Sequence, residues 1–205
     1  MLNNIEINCH SSIKISKGKT IYIDPFKIEK ESHDADVILI THDHYDHYSS
    51  EDIEKIATNE TIIVAPKTVK VLSKMRNTIL VEPNQTYEVD GMKIETIPSY
   101  NKNKQFHPKE NEWVGYIIKI DNVHYYIAGD TDITPENKLV KCDVAFIPVG
   151  GTYTMNYQEA AELANIIKPK IAIPTHYGSI VGEKDNGERF KQLLNSEIEC
   201  EILIK

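Results

Sequence analysis

The 205-residue sequence carries 31 acidic against 23 basic side chains, a formal net charge of -8. That balance argues against a protein that holds polyanions on a broad basic surface, so nucleic acid is expected only as a substrate. Hydrophobic residues at 40% and charged residues at 26% fit an ordinary globular chain able to bury a core.

The elements follow one another as short apolar or alternating runs rich in Ile, Val, Thr and Tyr, which favour strands. They fall at residues 5–8, 12–15, 20–23, 37–40, 61–64, 78–81, 86–89, 92–97, 114–120, 124–128, 144–147 and 171–173. Gly18, Asn84 and Asp90-Gly91 punctuate them as turns. Helices are fewer. Ser49 or Ser50 can cap one over 51–58 with acidic residues in its first turn, and Pro66 can open another over 67–74. Residues 156–167 place Ala160, Leu163, Ala164 and Ile167 at helical spacing, with Pro169 beyond the end. A last helix over 187–194 precedes a strand over 199–204.

Two runs of strands with helices beside them predict an α/β (α+β) architecture: two sheets face to face, helices outside. No linker, repeat or low-complexity segment divides the chain, so one domain over residues 1–205 is expected. Cys9, Cys142 and Cys200 are odd in number and far apart, unlike a disulfide framework or a zinc ribbon. The N-terminal residues show no basic region followed by an apolar run, and no run approaches the roughly 20 residues of a membrane span. A cytoplasmic, non-membrane setting is the expectation.

The chemistry gathers at His42-Asp43-His44-Tyr45-Asp46-His47, after the apolar run 37–40. In an extended segment residues i and i+2 point the same way, so His42 and His44 can hold one metal. Asp46 and His47 follow the turn and can face a second. Imidazole and carboxylate together suit zinc, manganese or iron. Asp130, in Ala-Gly-Asp-Thr-Asp, and His176, in Pro-Thr-His-Tyr-Gly, each follow another apolar run. Residues at strand ends converge on one sheet edge, where an open site forms.

With these features the sequence resembles the metallo-β-lactamase superfamily and its four-layer αββα sandwich. It looks closest to the small branch of L-ascorbate-6-phosphate lactonase-like proteins. The likeness runs from His10-Ser11-Ser12 and Ile23-Asp24-Pro25, through Pro148-Val149-Gly150-Gly151-Thr152-Tyr153-Thr154-Met155, to His176-Tyr177-Gly178. The resemblance implies His42, His44 and a third histidine on one metal, Asp46, His47 and His176 on the other, and Asp130 bridging. His107, in the loop between 92–97 and 114–120, is the preferred third histidine. His124 lies inside a strand and is less suited, and His33 reads as a solvated loop residue. The resemblance also places Asp24 and His10 behind the ligands, where a carboxylate on a far ring nitrogen fixes the tautomer. It suggests Tyr100, Trp113, Tyr153 and Met155 as a substrate pocket.

The implied activity is metal-dependent hydrolysis by a hydroxide shared between two divalent ions, zinc foremost and manganese or iron as alternatives. Asp46 would bind metal and accept the proton. Two divalent ions against Asp46, Asp130 and one hydroxide leave about +1 by formal count. The expected partner is a small anionic substrate with an ester-like bond, a phosphodiester or a lactone. A homo-oligomer is left open. Two alternatives stand beside this reading: an iron-dependent redox protein on the same fold, and a metal-binding relative without turnover.

Overall fold

The computed structural model describes residues 4–69 and 77–204. Thirteen strands among these residues form two sheets. The first runs β1 (Ile5–Ile7), β2 (Ile13–Lys17), β3 (Lys19–Ile23), β4 (Val37–Leu39), β5 (Ile62–Pro66) and β6 (Thr78–Val81), each beside the next. The second is ordered β13 (Glu199–Cys200), β12 (Ile171–Thr175), β11 (Val144–Pro148), β10 (Val123–Ile127), β9 (Val114–Ile120), β8 (Met92–Pro98) and β7 (Thr86–Val89).

Alternation explains how the sheets face each other. Ile13, Ile15, Ile21, Ile23, Val37 and Leu39 from the first sheet share one buried cluster with Ile94, Val114, Tyr116, Ile118, Val144 and Phe146 from the second. The other faces carry helices. Beneath α1 (Ser50–Ile56), Ile53 and Ile56 pack on Ile38, Ile40 and Ile63. Across the molecule, α2 (Tyr157–Ile167) lays Ala160, Leu163, Ala164 and Ile167 on Ala145, Ile147 and Ala172, and Phe190 of α3 (Asn186–Gln192) joins them. The result is the expected four-layer αββα sandwich. β4 and β11 are buried along their whole length, which is why they read as unbroken apolar runs.

Caps set the helix starts. The Ser49 side chain accepts from the Asp52 backbone N–H, opening α1. Asn156 and Glu159 form a reciprocal capping box that opens α2, so Asn156 is the cap rather than the first turn. The helix expected over 67–74 lies mostly outside the described residues; 67 and 68 form a turn after Pro66. The last strand is shorter than expected. Only Glu199–Cys200 pair with β12, while Ile202, Leu203 and Ile204 pack against the apolar clusters without ladder bonds.

Parallel pairing positions the chemistry. β3 and β4 run parallel in one sheet, and β10, β11 and β12 in the other, so their C-terminal ends share an edge within each sheet. In open sheets this is the edge at which ligands bind.

Candidate metal centre

Each side chain of the cluster is delivered by a strand end or the loop just beyond it. Asp24 follows β3, the segment 41–47 follows β4, His107 sits in the loop after β8, Asp130 follows β10 and His176 follows β12. His10, Asp24, His107 and His176 all adopt left-handed backbone, with φ of 55°, 46°, 59° and 60°. This region is sparsely occupied by residues other than glycine, and at a site it turns side chains that a continuing strand would aim elsewhere.

Three overlapping groups have ligand atoms within 4.8 Å of one another: His42, His44 and His107; His10, Asp46, His47 and His176; and His42, His47 and Asp130. Asp130 lies between the first two. Its Oδ2 is 3.2 Å from His107 Nε2, 3.0 Å from His176 Nε2 and 3.8 Å from His42 Nε2, and its Oδ1 is 3.4 Å from His47 Nε2. Asp46 Oδ2 is 3.8 Å from both His47 Nε2 and His176 Nε2. Nε2 of His47, His107 and His176 and Oδ1 of Asp130 are buried without a hydrogen-bond partner. Buried polar atoms are rarely left unpaired, so these four, gathered at the Asp130 carboxylate, fit cations held beside it.

The sequence profile of the β-lactamase superfamily domain matches residues 4–176. A UPF0173 metal-dependent hydrolase of Thermococcus onnurineus is 31% identical over 209 residues, covering 95% of this chain and 93% of its own length. A crystal structure from Parabacteroides distasonis, described as a metal-dependent hydrolase, is 32% identical with a TM-score of 0.84, over 98% of this chain and 93% of that one. The chain belongs to the metallo-β-lactamase superfamily. It is one of the metal-dependent hydrolases of that superfamily. Igni18, a metallo hydrolase from Ignicoccus hospitalis, shares the fold at 23% identity, with a TM-score of 0.79 over 98% of this chain and 94% of that one.

As in other buried polar sites, the surroundings of this metallo-β-lactamase centre fix its proton positions. The Asp24 carboxylate, 1% exposed, accepts from Thr41 N at 2.8 Å and Thr41 Oγ1 at 2.7 Å, and stands 2.7 Å from His47 Nδ1. With Nδ1–H donating to that carboxylate, Nε2 of His47 is the ring atom turned toward Asp130. Thr41 Oγ1 also lies 2.9 Å from His42 Nδ1, so one threonine connects Asp24 to two histidines. His10 Nε2 is 3.1 Å from Asp46 Oδ2, and its ring rests on His176 with centroids 3.8 Å apart. Asp24 thus lies against His47 and Thr41, and His10 against Asp46 and His176.

The charges follow from this packing. Burial pushes His10 down to about 4, against the pull of its hydrogen bond to Asp46. Burial would raise Asp46, but the His10 hydrogen bond and the His47 charge bring it to about 2. Near neutral pH the pair is thus a neutral imidazole donating to an ionised carboxylate. Burial, reinforced by the His47 charge, holds His42 well down, and burial lowers His44. Burial disfavours charge on His47, yet Asp130 and Asp24 outweigh it and hold its pKa well up. Burial would likewise raise Asp130, but the charges of His176 and His47 keep it well below the usual carboxylate range.

Of the pocket residues expected from sequence, Tyr153 lines the cavity beside the cluster and the other three do not. Trp113 is buried behind the ligands, with ring centroids 4.8 Å from both His42 and His44. Tyr100 is buried, its hydroxyl donating to Glu136 at 2.8 Å. Met155 is fully buried beneath α2 in the helix-side core. Tyr45, Phe106 and Ile180 line the cavity instead, and none had been anticipated. His124 is far along β10, beside Asp143, and His33 bonds the Ala57 carbonyl on the surface.

Asn101 also escaped sequence reading. Its amide donates to the carbonyls of Phe106 at 2.9 Å and Tyr153 at 2.7 Å, and its backbone N–H donates to the His107 carbonyl at 2.8 Å. It ties the His107 loop to the Tyr153 loop. Gly150 is the other unread feature: a Cβ there would lie 2.2 Å from the His176 carbonyl oxygen and 3.1 Å from His176 Nδ1.

Proposed function

We propose that this metal-dependent hydrolase uses two divalent ions, zinc foremost, to cleave an ester-like bond in a small substrate that is anionic or becomes so at the reacting centre. The observation that carries the reading is Asp130, buried between two histidine groups and within 4 Å of histidines from both. His42, His44 and His107 would hold one ion, Asp46, His47 and His176 the other, and Asp130 would serve both. When bound, the ions supply Lewis acidity toward the ester oxygen and acidify water at neutral pH.

The chain's own groups supply the rest. Asp46, ionised and held by His10, accepts the proton that the attacking water gives up. Asp24 and Thr41 hold His47 and His42 by Nδ1, so that Nε2 of each is the atom presented to a cation, His47 giving up its Nε2 proton as the cation binds. The depressed pKa values of His42 and His44 keep both neutral and ready to bind a cation.

No helix among the described residues is long and apolar enough to cross a membrane. The three cysteines are free, which supports a reducing, cytoplasmic setting. We further propose that residues 1–205 act as one hydrolase domain. The test is metal analysis of the native protein, coupled to a screen of phosphodiesters and lactones with the metal found. The proposal expects turnover that His44→Ala or Asp130→Ala abolishes; full activity after exhaustive metal removal would refute it.

A further inference from the structure

We infer that the cavity beside the metal centre selects a carboxyl ester or lactone carrying an aromatic or compact apolar group, and discriminates against phosphorylated substrates. The inference rests on the hydrolase reading and says which groups the substrate carries beside the bond that is cleaved.

Size comes first. The cavity is about 260 Å³, at or below the lower end of the range for small-molecule sites, so it takes one ring-sized group. Its floor is the ligand cluster. Its walls are Tyr45, Phe106, Tyr153 and Ile180. Phe106 and Tyr153 meet edge to face with centroids 4.7 Å apart, and such a pair offers a further ring both an edge and a face. Tyr45 is 67% exposed, Phe106 46% and Ile180 36%. Large apolar side chains grouped at the mouth of a polar site, and left open to water, mark a surface meant to be covered by a ligand.

Charge argues against a phosphate group carried beyond the reacting centre. Phosphate groups are held by arginine, lysine or helix N-termini. Among the described residues lining the cavity there is no lysine or arginine. On the loop that carries Phe106 and His107, Lys104 is paired with Asp132 and Lys109 with Glu136. The helix that follows Tyr153 has the N–H groups of Gln158 and Glu159 taken by the Asn156 side chain. A phosphorylated group beyond the reacting centre would therefore sit against phenyl, phenol and aliphatic surface, losing hydration with no counter-charge. An aryl or alkyl group loses nothing there. In the step this selects, water oxygen bonds to the carbonyl carbon and the acyl C–O bond breaks. One water proton ends on the released alcohol, and the other leaves as the new acid ionises to carboxylate.

The experiment uses the metal-loaded protein and three substrates. Dihydrocoumarin is a lactone fused to an aromatic ring, glucono-δ-lactone is a polar lactone, and bis(p-nitrophenyl) phosphate keeps rings but changes the bond. The inference expects kcat/KM for dihydrocoumarin to exceed the other two by tenfold or more. Phe106→Ala and Tyr153→Ala should each raise its KM about two- to tenfold, the worth of one aromatic contact. The rise should be smaller for the polar lactone, which has no aromatic ring to place against them. Tyr153→Ala keeps the carbonyl that Asn101 binds. Preference for the polar lactone or the phosphodiester, or equal loss on both lactones, overturns the inference. Calorimetric titration with 3-(2-hydroxyphenyl)propionate and with glycerol phosphate needs no turnover, so it decides the matter even if no ester is cleaved. Tighter binding of the aryl acid, weakened by Tyr153→Ala, upholds the inference while the hydrolase reading fails alone. Equal or tighter binding of the phosphate overturns it.

Discussion

Replacing Asp24 by Asn keeps the shape of a buried side chain while removing the charge on which two histidines depend. The carboxylate meets three donor groups: Thr41 N–H at 2.8 Å, Thr41 O–H at 2.7 Å and the His47 Nδ1 position at 2.7 Å. An amide can present an oxygen to only one side. With its NH₂ toward Thr41 N–H, two donors collide in a space without water. With its NH₂ toward His47, Nδ1 must become the acceptor, and the one remaining ring proton is fixed on Nε2, the atom that faces Asp130. Either arrangement forfeits a charge-assisted bond worth about 1.5–3 kcal/mol. The second also blocks a ligand atom, and loss of such support typically costs roughly 10–100-fold in metal affinity or activity. Asp24→Asn should therefore fold, melt at lower temperature, and bind zinc about 10–100-fold more weakly in a chelator competition. Without metal, the His47 ring followed by NMR should titrate at lower pH than in the wild type, because one of its two supporting carboxylates is gone. Zinc affinity within threefold of wild type would refute the reasoning.

Gly150→Ala should displace His176, because the new methyl overlaps its carbonyl oxygen; a loss of about 1–3 kcal/mol in stability and weaker metal binding are expected, measured by melting and competition. Removal of metal by chelator should abolish turnover, and re-addition should restore it for wild type but not for His44→Ala, checked by initial rates. Zinc uptake near neutral pH should release about one proton from His47, since a ligand nitrogen must be bare. Calorimetry in buffers of different ionisation enthalpy reads this directly, and identical heats in all buffers would contradict it. Acid should weaken the metal-free fold. The folded value of His10 is about 4 against an ordinary 6.5, so its contribution is present above pH 6.5 and lost as pH falls toward 4. Asp46, at about 2 against 3.8, adds a loss from 3.8 downward. Melting temperatures between pH 7 and 3 test the sign.

Much of the sandwich was legible because burial leaves a periodic trace. Ile13, Ile15, Ile21 and Ile23 alternate toward the inter-sheet core, and β4 and β11 read as apolar runs because both their faces are covered. Most of the candidate ligands were legible for a related reason: His42, Asp130 and His176 each sit just past such a run, where a polar residue breaks the pattern. Other features leave no periodic mark. The left-handed backbone at His10, Asp24, His107 and His176 is one. The close approach at Gly150 depends on a chain segment 26 positions away. Trp113 and Met155 were expected at the substrate pocket, yet their bulk fills space behind the ligands and beneath α2. Tyr45, Phe106 and Ile180 look in sequence like ordinary exposed loop residues, and only the folded loops bring them together.

The most direct test of the central claim is the metal content of native protein, wild type beside Asp130→Asn, by elemental mass spectrometry after gel filtration. A carboxylate shared between two histidine groups predicts close to two ions per wild-type chain and a clear loss in the variant. One ion per chain, or the same content in both proteins, would contradict it.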